Sequence, residues 1–237
     1  KDVTIGGGSV LGKVYDGNTT AAVTASTTIT GLVAGESLGT TTATGTFASK
    51  DVGTRNVGAS YTLTDGANPL HLAGNYNLLN PTETLSAAIT AKPLSITAPT
   101  IASKVYDGQV TAGAVTVGTL SGFVGTETVT ATGAAANYSS ANVGTYNSVA
   151  VSYTLANGSN GGLAGNYSLA AGTATGVITT KDLVVNGGGI TVSKAYDGGT
   201  AINGVTDVTI GASALTGRST GAADGKYGGT ENVPLAV

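Results

Sequence analysis

The chain has 237 residues, of which 38 are glycine, 10% are charged and 5% aromatic; its formal net charge is -3, and Cys, Met and Trp are absent. No run approaches the roughly 18 consecutive apolar residues of a spanning helix, and 41% hydrophobic content with so little charge argues against disorder. Ten Lys and Arg against thirteen Asp and Glu leave no basic stripe for nucleic acid, and without Cys there is no disulfide, thiolate metal site or cysteine nucleophile.

The chain opens at Lys1 with strand-like sequence and no apolar secretion segment, so it reads as an excerpt of a longer protein. Lys13-Val-Tyr-Asp-Gly17 returns as Lys104-Val-Tyr-Asp-Gly108 and Lys194-Ala-Tyr-Asp-Gly198, with its Tyr at steps of 91 and 90 residues. Leu72-Ala-Gly-Asn-Tyr76 returns as Leu163-Ala-Gly-Asn-Tyr167, Val52-Gly-Thr54 as Val143-Gly-Thr145, and Ser60-Tyr-Thr-Leu63 as Ser152-Tyr-Thr-Leu155. Lys1-Asp2, Lys92-Pro93 and Lys181-Asp182 each open an apolar run, which places the repeats at 1–91, 92–180 and 181–237.

A period of domain length favours a separate hydrophobic core in each repeat over a solenoid. Within the second repeat, Val149, Val151, Tyr153 and Leu155 alternate with Ala150, Ser152 and Thr154, the period-two pattern of a half-buried strand. Strands are expected at 93–98, 103–106, 110–120, 126–133, 146–155, 165–170 and 174–180, and the first repeat follows the same plan. Thr, Val, Ile and Tyr with Asp-Gly, Asn-Gly and Gly-Gly punctuation indicate short antiparallel strands and almost no helix. The expected class is all-β, a tandem of immunoglobulin-like β-sandwiches of about 90 residues. The third repeat is incomplete: it ends at Val237 before any counterpart of the Ala-Gly-Asn-Tyr segment. Its missing strands are expected from further repeats of a longer chain or from a neighbouring copy.

Taken together, the Lys-x-Tyr-Asp-Gly motifs, the Ala-Gly-Asn-Tyr-Asn/Ser-Leu segments at 73–78 and 164–169, and the junctions Ile89-Thr-Ala-Lys-Pro-Leu94 and Ile178-Thr-Thr-Lys-Asp-Leu183 carry a family resemblance. The chain resembles the YDG-type and mostly bacterial Ig-like (MBG) repeats of filamentous-haemagglutinin-like surface adhesins. That resemblance implies a non-enzymatic, extracellular stalk or spacer segment, with any host receptor or glycan site elsewhere in the parent protein. The alternative is a filament or sheath subunit assembled by strand complementation of the third repeat.

Residues that could carry chemistry are few, and no catalytic, cofactor or metal residue is assigned. Tyr15-Asp16-Gly17 could form a calcium corner, with Glu36 and Glu127 as second carboxylates one period apart. The third repeat puts Arg218 at that position, so the set is not repeated, and a tight turn is the plainer reading. Tyr76 and Tyr167 are expected as corner staples whose hydroxyls bond nearby backbone. His71, the single histidine, is expected in a solvated loop. Gly6–Gly8 and Gly187–Gly189 read as bends, and Asn18-Thr-Thr20 and Asn157-Gly-Ser159 match a glycosylation sequon. Tyr138, Tyr146 and Tyr227 are candidates for glycan stacking on exposed loops.

Overall fold

A computed structural model describes residues 1–26, 28–182, 184–185, 190–201, 208–210 and 215–216. Most of the third repeat, including Gly187–Gly189, Arg218 and Tyr227, lies outside these residues, and so does the expectation that its missing strands come from elsewhere.

The described residues are all-β, with 3₁₀ turns at Ala73–Asn75 and Ala164–Asn166. In the first repeat the strands are β1 (Asp2–Ile5), β2 (Ser9–Val10), β3 (Lys13–Val14), β4 (Thr20–Thr24), β5 (Ile29–Thr30), β6 (Gly39–Phe47), β7 (Gly53–Thr64), β8 (Asn77–Leu78) and β9 (Thr82–Thr90). The second contributes β10 (Lys92–Ile96), β11 (Thr100–Ile101), β12 (Lys104–Val105), β13 (Val115–Thr116), β14 (Leu120–Ser121), β15 (Val129–Ala135), β16 (Gly144–Asn157), β17 (Tyr167–Leu169) and β18 (Gly172–Thr179). Of the expected 110–120 strand, 115–116 pair in β13 and Leu120 opens β14; between and before them Gly113 and Gly118 press against the carbonyls of Ala102 and Thr97, so closely that a Cβ would lie 2.0 and 2.1 Å from them.

Contacts group the chain into two compact units. The first holds Lys1–Ile96, Thr119–Ala131 and Thr154–Ala170; the second holds Thr97–Gly118, Thr132–Tyr153 and Ala171–Val237. The first unit therefore draws on both the first and the second sequence repeat. Its largest sheet has the order β2-β4-β6-β7-β9-β3. Alternation builds it: Val57, Ala59 and Tyr61 of β7 are buried while Asn56, Gly58 and Ser60 are exposed.

Two smaller sheets repeat one plan inside this unit. β1 pairs antiparallel with β5 and parallel with β8, and β10 pairs antiparallel with β14 and parallel with β17. The short β3, which follows β2, pairs parallel with β9. The expected antiparallel pairing is thus corrected in part: in the first and second repeats the opening strand is split, and its first and last pieces find parallel partners while the middle piece pairs antiparallel. The expectation of an isolated core for each repeat is corrected too. Tyr15, Phe47, Val57 and Ile89 of the first repeat share one buried cluster with Leu94, Val129 and Tyr167 of the second.

In the second unit β12, β18, β16 and β15 make a four-stranded sheet around Ile101, Tyr138, Val149, Val151 and Ile178. A bulge between Tyr146 and Val149, with Ser148 at φ 58°, keeps both of those side chains packed against this core.

Candidate functional site

The Tyr-Asp-Gly motif begins where β3 ends. Tyr15 N–H donates to the Thr90 carbonyl at 2.8 Å, which carries the ladder to β9 one residue further, and the chain then turns at Gly17, φ 79°. Left-handed backbone at this point favours glycine, and a Cβ there would stand 2.7 Å from Val124 Cγ1. Asp16 Oδ1 accepts the Asn18 N–H at 3.1 Å and the Lys13 ammonium at 2.8 Å. Asp107 repeats this with Gln109 N–H at 3.0 Å and Lys104 at 2.6 Å, and Asp197 does so with Gly199 N–H at 2.9 Å and with Lys194. Burial works to raise the Asp16 and Asp107 carboxyls, but the lysine and the backbone N–H groups outweigh it and hold both below the ordinary value. In each copy, lysine and backbone therefore occupy the oxygen that a calcium corner would offer. Among the described residues no group of three or more His, Asp or Glu is placed to hold a metal.

Turned inward by this corner, Tyr15 is fully buried and meets a polar cluster in the first unit. Its hydroxyl donates to Glu127 Oε1 at 2.8 Å and accepts from the Lys50 ammonium at 2.8 Å. Lys50 also reaches Glu127 Oε1 at 3.2 Å, and the Tyr167 hydroxyl donates to Glu127 Oε2 at 2.7 Å. Both carboxylate oxygens are thus engaged, one by the first repeat and one by the second. The Tyr15 and Tyr167 rings meet edge to face with centroids 5.6 Å apart, and Phe123 packs on Tyr167 in the same manner at 5.8 Å.

Each member is positioned by its own local structure. Glu127 sits on a turn closed by its N–H to the Val124 carbonyl at 3.0 Å. Lys50 is held on a loop that Arg55 braces through the carbonyls of Asp51 and Val52, at 2.9 and 2.8 Å. Tyr167 follows the 3₁₀ turn Ala164–Asn166, and Asn166, 2% exposed, accepts the Val52 N–H at 3.0 Å and donates to Asp51 Oδ1 at 2.9 Å.

The electrostatics follow from this pairing. Burial works against the Glu127 charge, yet the hydroxyls of Tyr167 and Tyr15 and the Lys50 ammonium together hold the carboxyl below its ordinary value. The Tyr15 hydroxyl, with Glu127 behind it, raises Lys50 although burial opposes this. Burial, then the hydrogen bond to Glu127, pushes Tyr167 up to about 12. Every group is driven away from neutral pH, opposite to what a general acid or base requires. The arrangement holds chain segments together.

The corner staples differ from expectation. Tyr167 Oη accepts the Val124 N–H at 3.1 Å and Tyr76 Oη the Val33 N–H at 3.1 Å, so the backbone they bond lies 43 residues upstream rather than nearby. Each also donates to a carboxylate 40 residues upstream, Tyr167 to Glu127 and Tyr76 to Glu36. Glu36 and Glu127 are therefore tyrosine partners, a role signalled in the sequence by that constant spacing. Lys50 carries no motif, and Asn166 lies in the recurring Ala-Gly-Asn-Tyr segment without any sign there of its bonds to Val52 and Asp51.

The other candidates fall elsewhere. His71 is half-buried instead of solvated, and its Nδ1 accepts the Ser37 N–H at 3.1 Å. Tyr138, expected on an exposed loop, is 3% exposed and stacked under Tyr146 with centroids 4.7 Å apart. It cannot present a face to a sugar. Gly6–Gly8 bridge β1 and β2, and Gly8 N–H donates to Glu83 Oε1 at 2.9 Å. In the sequons, Asn18 Oδ1 accepts from Lys13 and Thr20 N–H, and Asn157 Oδ1 accepts the Ala164 N–H at 2.8 Å.

Comparison with known proteins gives one family: a model described as the YDG domain matches residues 1–84 and 90–175, well over half of the chain. This corrects the resemblance drawn from the motifs, since the match is to two copies of the YDG domain and not to the MBG repeat of bacterial adhesins. No curated protein and no solved structure matches.

Proposed function

Because the chain belongs to the YDG domain family, we propose that it is a structural spacer, a non-enzymatic run of repeats that keeps its successive members from moving independently. The observation that carries this reading is the Glu127 carboxylate, gripped by Tyr15 and Lys50 from one repeat and by Tyr167 from the next. A flexible tether has no use for such a clasp. We read each full repeat as an immunoglobulin-like sandwich whose first strand is split, a reading supported by the parallel pairs β1–β8, β3–β9, β10–β17 and β12–β18. An extracellular setting is supported by the low charge and by a strand surface rich in Thr, Ser and Asn.

Single-molecule extension of the chain tests the reading. The spacer requires that Glu127→Ala lower the force at which the first unit yields. An unchanged force would show that the clasp bears no load.

A further inference from the structure

The parallel pairs of the first repeat belong to one long contact. Asp2 and Val3 lie opposite Asn77 and Leu78, and Lys13 and Val14 lie opposite Ile89 and Thr90. Backbone bonds fix both ends. The Lys1 and Val3 carbonyls accept the Asn77 and Leu79 N–H groups at 2.9 and 3.0 Å, and Tyr15 N–H donates to the Thr90 carbonyl at 2.8 Å. Between these ends the strand pairing lapses, and side chains take over in the same register. Asn80 Oδ1 accepts the Ile5 N–H at 2.9 Å while its Nδ2 donates to the Ile5 carbonyl at 2.8 Å, across 75 residues. Glu83 Oε1 accepts the Gly8 N–H at 2.9 Å, again across 75 residues. One amide thus satisfies both backbone groups of Ile5, as a paired strand would.

The direction of this contact decides what it can do. Tension along the chain enters the repeat ahead of Asp2 and leaves it after Thr90, at the start of one parallel strand and the end of the other. Such a pull slides the two strands past each other and strains the bonds between them together. A pull on both strands at the same end opens those bonds one after another.

We infer that residues 1–15 and 77–90 form a load-bearing clamp, which resists extension along the chain and yields to a pull across it. The spacer reading supplies the direction of load; the clamp lies within one repeat, whereas the Glu127 clasp joins two. Asn80 and Glu83 make the clamp continuous in the first repeat. The second repeat keeps the parallel pairs β10–β17 and β12–β18 but has Ala171 one period after Asn80 and no carboxylate from 171 to 180.

Single-molecule extension of the full chain in two directions tests this, because a chain without cysteine is pulled only from the cysteines introduced into it. Lys1→Cys with Ala91→Cys slides the strands. Lys1→Cys with Gly74→Cys, where a Cβ meets nothing within 4 Å, holds both strands at the same end and peels them apart. At one loading rate, sliding is expected to need about twofold or more the force of peeling, since forced unfolding follows the barrier on the path pulled. Asn80→Ala should lower the sliding force and leave the peeling force, which the first bonds set, unchanged. Equal forces in the two directions overturn the clamp, and so does an Asn80→Ala chain that matches the parent or is weakened equally in both directions. Circular dichroism melting identifies a variant that does not fold, and the two directions in the parent chain then decide. Glu127→Ala keeps the two readings apart: an unchanged force in that variant counts against the clasp alone, and equal forces in the two directions of the parent chain count against the clamp alone.

Discussion

Tyr167 donates its hydroxyl to Glu127 at 2.7 Å across 40 residues of chain, and Tyr76 stands in the same relation to Glu36. The pair is a unit of the repeat, and the Glu127 copy is completed by Tyr15 and Lys50 of another repeat. Its energetic weight follows from its surroundings: the Glu127 side chain is 12% exposed, so a lost partner is not replaced freely by water.

Glu127→Ala strands two hydroxyls and an ammonium at once and should cost about 2–4 kcal/mol in denaturant unfolding. Glu127→Gln keeps an acceptor and loses the charge opposite Lys50, which is itself 38% exposed, so its cost should be smaller, about 1–2 kcal/mol. Equal stability of both variants and the parent chain would show that the cluster is ornamental.

The pH dependence has two edges. Glu127, Asp16 and Asp107 are held below their ordinary values, so their contribution is full above the unfolded carboxyl range, near 4.5 for Glu and 3.8 for Asp, and is lost as pH falls through the lower folded values. Tyr167 is raised from 10.0 to about 12, so its contribution is full below 10 and is lost as pH rises through 12. Denaturant midpoints measured from pH 2 to 12 should form a plateau with both flanks, and Glu127→Ala should flatten the acid flank.

Asn166 and Asn75 are one period apart with opposite environments. Asn166→Ala removes bonds to Val52 N–H and Asp51 from a buried site and should cost about 1–3 kcal/mol. Asn75→Ala, at an exposed position, should stay within about 0.5 kcal/mol. Matching losses from the two variants, read from thermal melts, would deny that the environment decides.

Tyr138 occupies the position that Phe47 holds in the first repeat, and its buried hydroxyl has no hydrogen-bond partner among the described residues. Tyr138→Phe should therefore preserve stability or raise it by up to about 1 kcal/mol. A loss of that size would reveal a bond to the hydroxyl in solution.

Much of the fold is legible in the sequence because it is local. Alternation at Val149, Val151 and Tyr153 specifies a strand with one buried face, and the Asp-Gly pairs mark turns at Gly17, Gly108 and Gly198, all with positive φ. Pairing partners are a different matter. That β1 takes β8 as a parallel neighbour depends on residues 75 positions apart, and no periodicity encodes it. The clasp was half visible for the same reason: Tyr15, Glu127 and Tyr167 lie in recurring motifs, whereas Lys50 has Ala141 one period later and Asn166 looks identical to the exposed Asn75. Burial distinguishes the two asparagines, and burial comes from the neighbouring repeat. His71 shows the limit most simply, since a lone histidine in a Pro-containing loop gives no sign that Ser37 will donate to it.

The claim that one carboxylate couples two repeats is tested most directly by a double-mutant cycle on Tyr15→Phe and Tyr167→Phe, residues that belong to different repeats and both bond Glu127. Unfolding free energies should be non-additive by about 0.5–1.5 kcal/mol, because removing one hydroxyl changes the charge that the other must satisfy. Additivity within about 0.3 kcal/mol would contradict the account.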